Sequence, residues 1–257
     1  MEYIIICIVA LLGSWLTLFS GFGLGTILLP VFGIFFPIEV AIALTAIVHF
    51  LNNVFKLLLL GRHVDKRVLL RFGLPSILAA FVGAWVLGSL TGMNALYSYS
   101  IGDRELNVTP VKLVIAIVLA FFALFDILPR FKKMQFSPKW QPVGGLLSGF
   151  FGGLSGLQGA LRSAFLVRAG LSKEAFIATG VAIACLIDIT RLSVYYKQVF
   201  SAPRTLHYAL LLAATLSAFV GAYIGAKLMK KVTIETVHII VAVMLLVYSV
   251  LLAMGIL

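Results

Sequence analysis

The chain has 257 residues, of which 62% are hydrophobic and only 11% charged, with a net charge of +11 and a mean hydropathy of +1.13. Soluble domains are about 45–50% apolar and about 25% charged, so the composition excludes a soluble globular protein and predicts a polytopic helical membrane protein. Most Lys and Arg residues fall between the apolar stretches, which favours anchoring at a cytoplasmic membrane surface over nucleic-acid binding.

Eight apolar stretches follow one another along the chain. Six have the length of ordinary spans, about 20 residues: roughly 38–60, 68–91, 108–128, 174–196, 205–226 and 233–256. The stretches 3–36 and 142–168 are too long for one crossing and too short for two. The start of the first, 3–20, has no basic region and no small-residue cleavage site, so we expect a retained helix.

Clustered glycines interrupt both of the long stretches. Glycine costs a helix interior roughly 1 kcal/mol, so clusters at matching places predict a helix that stops, turns and restarts. The clusters are Gly21, Gly23 and Gly25 in the first stretch, and Gly152, Gly153, Gly156 and Gly159 in the second.

The two halves of the chain repeat one another. The run AFVGA at 80–84 recurs at 218–222, SGF at 20–22 recurs at 148–150, and Glu39, Ala43 and Lys56 align with Glu174, Ala178 and Arg191. Duplicated apolar halves are frequent in secondary transporters, whose substrate site lies where the repeats meet. We therefore predict a first transmembrane repeat at 1–128, a cytoplasmic basic linker at 129–141 and a second transmembrane repeat at 142–257.

The positive charges of the loops predict the orientation. If 142–168 crosses once, ten loop Lys and Arg residues lie on one side and six on the other; if it enters and returns, the split is thirteen to three. The second arrangement obeys the positive-inside rule better and gives each half an odd number of passes. We predict an all-α polytopic fold of two inverted repeats, each with a glycine-broken re-entrant segment and three spanning helices, in the cytoplasmic (inner) membrane with both termini outside.

The glycine breaks are the first candidate site. Lipid tolerates a broken helix only where its freed backbone is buried or lines a cavity, and a half-helix that begins inside the protein points unpaired N–H groups and a positive dipole end at an anion. Close helix packing is the alternative for any single glycine. Here we predict substrate contacts from Gly23, Gly25, Thr26, Gln158 and Gly159, and hinges at Gly21, Pro30, Gly153 and Gly156.

Arg162 lies three residues after Gly159, with apolar residues on both sides. A cation in such a place costs a few kcal/mol or more unless it meets water or a partner, and the planar guanidinium suits oxyanions. We predict that Arg162 contacts the substrate; the alternative is a structural ion pair with Asp188. Leu28 is the corresponding position in the first half.

A polar stripe runs along the predicted 38–60 helix. His49, Asn52, Asn53 and Lys56 share one helix face, and such a face meets protein or water, not lipid. We predict that Asn52 and Asn53 hydrogen-bond the oxygens of the anion. His49 is either a proton carrier, because imidazole titrates near neutral pH, or a neutral hydrogen-bonding side chain.

The matching helix of the second half carries Asp188 and Arg191, which can pair across one turn. They align with Asn53 and Lys56, so both halves turn polar and cationic groups inward. For Lys56 and Arg191 the alternative is snorkelling toward the membrane surface. We predict that His49, Lys56, Asp188 and Arg191 couple transport to protons or relay charge.

Neither catalytic nor cofactor motifs occur in the sequence. HExxH, GxSxG, phosphate-loop and clustered Cys/His patterns are missing, and Cys7 and Cys185 lie within apolar stretches. We expect a protein that is not an enzyme and needs no metal or cofactor. Its expected partners are a small anion, a coupling proton, the lipid bilayer and a second copy of the chain in a homodimer, but no nucleic acid.

The repeats resemble those of the TauE/SafE sulfite exporter family, also called the toluene-sulfonate uptake permease family. The resemblance covers nearly the whole chain and rests on small-residue motifs. These are GFGLGTILLP at 21–30 and AIALT at 41–45, the basic loop GRHVD at 61–65, the Gly83–Ala84 patch, GFFGGLSGLQG at 149–159 and AFIAT at 175–179. The chain departs from the family pattern where Leu24, Thr26, Gln158 and Ala160 break the glycine triplets and where Ala164 replaces a proline.

The resemblance implies transport of sulfite, sulfonates, sulfoacetate or related sulfur anions. Together with the residues above, it predicts a secondary transporter of a small sulfur-containing or organic oxyanion that works by alternating access of the two repeats. The rival functions are an anion channel and a non-transporting intramembrane enzyme or scaffold.

Overall fold

The computed structural model describes residues 1–20, 23–132, 134–200, 207–227 and 234–257. The predicted hinge at Gly21 lies outside the described residues, as do the loop positions 201–206 and 228–233. The helices are α1 (Glu2–Ser20), α2 (Leu24–Phe35), α3 (Ile38–Leu60), α4 (Lys66–Leu90), α5 (Pro110–Ile127), α6 (Pro129–Lys132), α7 (Gln141–Ser155), α8 (Gly159–Leu166), α9 (Lys173–Phe200), α10 (Tyr208–Lys227) and α11 (Ile234–Ala253).

The helices confirm the prediction of an all-α, multi-pass membrane protein. In the described part of the chain, five helices are long and apolar enough to cross a membrane: α3 with the turn that follows it, α4, α5, most of α9, and α10. The sixth predicted span, 233–256, is α11, whose described apolar part, His238–Ala253, is shorter than a full crossing. Two of the spans begin at side-chain caps, since Asp65 accepts a hydrogen bond from Val68 N at 2.9 Å and Thr109 accepts one from Lys112 N at 3.3 Å.

A β-hairpin, which is not predicted from the sequence, occupies the connection between α4 and α5. Strands β1 (Tyr97–Ile101) and β2 (Arg104–Val108) pair antiparallel around Gly102, whose φ of 60° suits a tight turn. Tyr99 Oη donates a hydrogen bond to Met254 O at 2.6 Å. The hairpin and the end of α11 therefore lie at the same end of the molecule.

Both predicted helix breaks are present. Gly23, with φ 92°, precedes α2, and Gly156, with φ 82°, ends α7. Positive φ angles strain any residue with a Cβ, which explains glycine at these two positions. Pro30 does not interrupt α2, and Gly153 lies inside α7, not at the break.

The second broken helix enters and returns, as the charge distribution predicts. Phe136 N, before α7, donates to Ala164 O in α8 at 3.1 Å, and Arg168 Nε, after α8, donates to Gln135 Oε1 at 2.9 Å. The chain thus comes back to the end from which it started. This basic end is opposite the hairpin end, because α5 runs from the hairpin to the linker.

Each first half-helix packs tightly against a helix of the other half of the chain. A Cβ added at Gly145, Gly149 or Gly153 of α7 would lie 2.1–2.3 Å from carbonyl oxygens of α4, and one added at Gly221 of α10 would lie 2.0 Å from Leu11 O of α1. Only glycine permits such close backbone contact. The pairs α4–α7 and α1–α10 therefore cross between the two repeats.

The helix ends correct one part of the repeat alignment. Ser20 and Ser155 each end the first half-helix, and Leu24 and Gly159 each begin the second, an offset of 135 residues. Pairing the SGF run at 20–22 with 148–150 is therefore wrong, because Ser148 lies about two turns before the break, inside α7. In the corrected register Arg162 corresponds to Ile27 of the first half, not to Leu28.

Single cysteines test the predicted orientation. With Cys7 and Cys185 replaced by Ser, we expect a cysteine at Gly102 to react with an impermeant maleimide from outside the cell, because it lies at the hairpin end. A cysteine at Arg62 should react only after the membrane is permeabilised, since it lies at the basic end. The reverse labelling pattern would contradict an outside C-terminus.

Candidate functional site

The tips of the two broken helices meet in the interior of the protein. A Cβ added at Gly25, in α2, would lie 3.6 Å from the carbonyl oxygen of Gly156, at the end of α7. Helix α3 passes beside this meeting point, since a Cβ at Gly23 would lie 3.2 Å from His49 Nε2. The breaks of the two predicted repeats are therefore in contact, at the place where such duplicated proteins bind substrate.

Asp188 of α9 is the centre of a buried polar cluster beside the breaks. Its Oδ2 accepts hydrogen bonds from His49 Nδ1 at 2.6 Å and from Asn53 Nδ2 at 3.3 Å, both on α3. Because an ionised carboxylate only accepts, Nδ1 of His49 carries the proton in this pair. The cluster joins the central helix of one half to that of the other.

Arg191 neutralises Asp188, as their spacing predicts. Arg191 Nε donates to Asp188 Oδ1 at 3.0 Å, and Nη2 lies 2.8 Å from the same oxygen. Both side chains are 0% exposed, so the snorkelling interpretation of Arg191 is wrong. A Cβ at Gly156 would lie only 2.4 Å from Arg191 Nη1, which gives a second reason for glycine at this break.

A cavity runs from the breaks toward the basic end of the molecule. It encloses about 460 Å³ with its open mouth included. Its mouth lies at the basic end, because Leu166 is the last residue of α8 and Phe176 lies in the first turn of α9. The lining residues are Thr17, Leu18, Gly23, His49, Asn53, Lys56, Arg162, Ser163, Leu166, Phe176, Ile177, Gly180 and Val181.

Two cations line this cavity. Arg162, which is 8% exposed, donates from Nη1 to Gln158 Oε1 at 3.1 Å. No ion pair joins it to Asp188 in the described part of the chain, so the alternative interpretation of Arg162 as the ion-pair partner of Asp188 is not what the structure shows. Gly180 of α9 makes room for the guanidinium, since a Cβ there would lie 3.3 Å from Arg162 Nε.

Lys56 is held in the cavity wall by Asn52. In the amide orientation that satisfies both polar atoms of Asn52, its Oδ1 accepts from Lys56 Nζ at 3.2 Å and its Nδ2 donates to Ala218 O of α10 at 3.1 Å. Lys56 is only 3% exposed, which excludes snorkelling here as well. Asn52 is not one of the residues that line the cavity. Neighbouring residues of a helix point about 100° apart, and it is Asn53 that faces the cavity.

The other predicted site residues do not line this cavity. Thr26 and Gly159 line a smaller, separate cavity that Asp126 of α5 also faces. Gln158 is buried and supports Arg162. Gly153 lies within α7 and packs against Ala80 of α4.

Two hydroxyl-bearing residues and the apolar wall of the cavity are not among the site residues predicted from the sequence. Thr17 and Ser163 line it beside the cations, and Leu166, Phe176 and Ile177 line it toward the mouth. Thr17 gives only a weak sequence signal, a single hydroxyl one turn before the break. Ser163 has none beyond its place next to Arg162.

The charges around the cavity favour an anion. Among the described residues that line it, none is Asp or Glu, whereas Lys56 and Arg162 are both basic side chains. The nearby carboxylate of Asp188 is already engaged by Arg191 and His49. An anion in the cavity would therefore meet two basic side chains and no lining carboxylate in a low-dielectric interior, where electrostatic attraction is strong.

Comparison with protein families matches residues 6–252 to the family described as sulfite exporter TauE/SafE. Among curated proteins no significant match is found. The match extends over almost all of the chain, including both broken helices and the central helices α3 and α9. It confirms the resemblance found in the sequence: the chain belongs to the sulfite exporter TauE/SafE family.

Proposed function

We propose that the protein is a secondary transporter that moves a small sulfur-containing or organic oxyanion, of the sulfite, sulfonate or sulfoacetate class, by alternating access. It would reside in the inner membrane with both termini outside. Family membership supports membrane transport of sulfite or related anions. The observation that carries the proposal is the cavity beside the helix breaks, which Lys56 and Arg162 line.

The anion would bind at the closed end of this cavity. Arg162 and Lys56 supply charge, and charge-assisted hydrogen bonds from such groups are roughly twice as strong as neutral ones. Asn53 adds an amide donor, and the backbone near Gly23 adds the positive end of the α2 dipole. The apolar side chains at the mouth would face the remainder of an organic anion.

Coupling to protons would use the contact between His49 and Asp188. This contact joins α3 of one half to α9 of the other at 2.6 Å, so a change in its protonation acts at the crossing of the two repeats. Neutralising either group weakens the attraction between the two central helices. A pH gradient would then bias which side of the membrane the cavity faces.

The close packing supports a proposal for which parts move together. The pairs α4–α7 and α1–α10 are in backbone contact through glycines, and each takes one helix from each repeat. We propose that these crossed pairs move as units around α3 and α9, so that access alternates without separating either glycine contact. The cavity described here opens at the basic end, which under the proposed orientation is the cytoplasmic face.

Uptake into proteoliposomes tests the proposal. Labelled sulfite and a short sulfonate are supplied to vesicles that contain the purified protein, with and without a pH gradient. Saturable uptake supports a carrier, flux proportional to concentration supports an anion channel, and uptake of neither anion by folded protein contradicts the proposed substrate class. A dependence on the gradient supports proton coupling.

Replacing Arg162 with Gln is expected to lower uptake at sub-saturating anion by about 10- to 100-fold, because a hydrogen bond to a charged group contributes about 1.5–3 kcal/mol. Lys56→Gln should have a similar effect. Arg168→Gln is the matched control, since Arg168 is exposed beyond the end of α8. Equal uptake by the Arg162 and Arg168 variants would contradict a role for the cavity cations.

A further inference from the structure

Thr17, Thr45 and Thr215 are buried helical threonines whose hydroxyls make no hydrogen bond in the described part of the chain, and of these three Thr17 lines the cavity. It lies one turn before the first helix break and lines the cavity with Lys56 and Arg162. Its side chain is 5% exposed, yet in the described part of the chain its Oγ1 makes no hydrogen bond. Threonine hydroxyls inside helices commonly bond the carbonyl one turn back, so Thr17 keeps a donor available.

The free hydroxyl and the two cations come from three different elements. Thr17 is on α1, Lys56 on α3 and Arg162 on α8, and all three line the same cavity. Buried polar groups in native proteins nearly always have a partner. A ligand oxygen in the cavity is a partner that would satisfy Thr17.

We propose that Thr17 is a substrate-binding residue that selects anions with three terminal oxygens over carboxylates. The inference rests on the proposed function and concerns the same site. A sulfite or sulfonate head group presents three oxygens in three directions, so each can accept from one of Thr17, Lys56 and Arg162. A carboxylate has only two oxygens, whose lone pairs lie in one plane, so it cannot present a separate oxygen to each of the three side chains.

Transport kinetics of matched variants test this selection. Uptake of labelled sulfite, methanesulfonate and acetate is measured in proteoliposomes for the wild type, Thr17→Val, Thr17→Ser and Thr215→Val. Thr215 of α10 is the control, because its hydroxyl is also 5% exposed and without a hydrogen bond in the described residues, but it does not line the cavity. Thr17→Ala makes the same test if the valine variant does not fold.

We expect Thr17→Val to raise the KM for sulfite and methanesulfonate about tenfold, the effect of one lost hydrogen bond to a charged group. The KM for acetate should change much less, Vmax should stay near the wild-type value, and Thr17→Ser should restore the KM. Unchanged KM values in Thr17→Val, or an equal rise for all three anions, would overturn the proposed selection while the transport function stands. A wild-type protein that transports none of the three anions would overturn the transport function itself, and the role of Thr17 with it.

Discussion

We expect that the Asp188→Leu variant does not fold, whereas the double variant Asp188→Leu, Arg191→Met should fold. The single change leaves the guanidinium of Arg191, which is 0% exposed, without its carboxylate. Breaking a buried ion pair in this way costs about 3–5 kcal/mol, while replacing both partners with apolar residues of similar size is often neutral. Because α9 is packed at the centre of the molecule, we expect the effect to be global.

Thermal unfolding and size-exclusion chromatography in detergent measure this effect. The single variant should aggregate or unfold far below the wild-type unfolding temperature. The double variant should recover most of the lost unfolding temperature. Asp103→Asn is the control, since Asp103 is an exposed carboxylate in the turn of the hairpin. A double variant no more stable than the single one would show that the cluster is not stabilised chiefly by charge compensation.

The folded double variant also separates structure from coupling. It keeps Lys56 and Arg162 in the cavity but removes the carboxylate that accepts from His49. We expect it to bind anion and to lose the dependence of uptake on the pH gradient. Retained dependence would exclude Asp188 from proton coupling.

Gly149→Ala is expected to destabilise the protein by about 1–3 kcal/mol, the usual cost of overpacking a close contact. An added Cβ would lie 2.3 Å from Ser76 O and 2.6 Å from Ser76 Cα of α4. These are backbone atoms inside helix α4, so the contact is relieved only if α4 and α7 move apart.

Gly61→Ala is the matched control. A Cβ there would meet only the side chain of Leu57, at 3.6 Å, and Gly61 has an ordinary helical φ of −59°. Alanine is the better helix former by roughly 1 kcal/mol, so Gly61→Ala should leave the unfolding temperature unchanged or raise it. Equal effects of the two substitutions would contradict the close packing of α4 and α7.

The features that the sequence predicts well are those set by composition and local chemistry. The breaks follow from clustered glycines, and two of these glycines have positive φ angles that no other residue adopts easily. The return of 142–168 to its own side follows from the distribution of Lys and Arg residues between loops. The pairing of Asp188 with Arg191 follows from their spacing on one helix face.

What the sequence could not predict depends on contacts between distant segments. Helix packing against the other repeat is set by shape, so nothing local to α7 identifies α4 as its partner. Asn52 and Asn53 are identical side chains on adjacent positions, and only the tertiary structure decides that Asn53 lines the cavity while Asn52 supports Lys56. The hairpin at 97–108 has two short, mostly exposed strands of five residues each, and the strong apolar signal of the neighbouring spans obscures them.

The crossed helix pairs also determine the order in which the chain can assemble during synthesis. Helix α1 is synthesised before α10, whose glycine face receives it. The first broken helix therefore cannot reach its final position until α10 has been inserted into the membrane. Early spans must wait in the bilayer in a provisional arrangement, and the native interior closes only after α10 has been inserted.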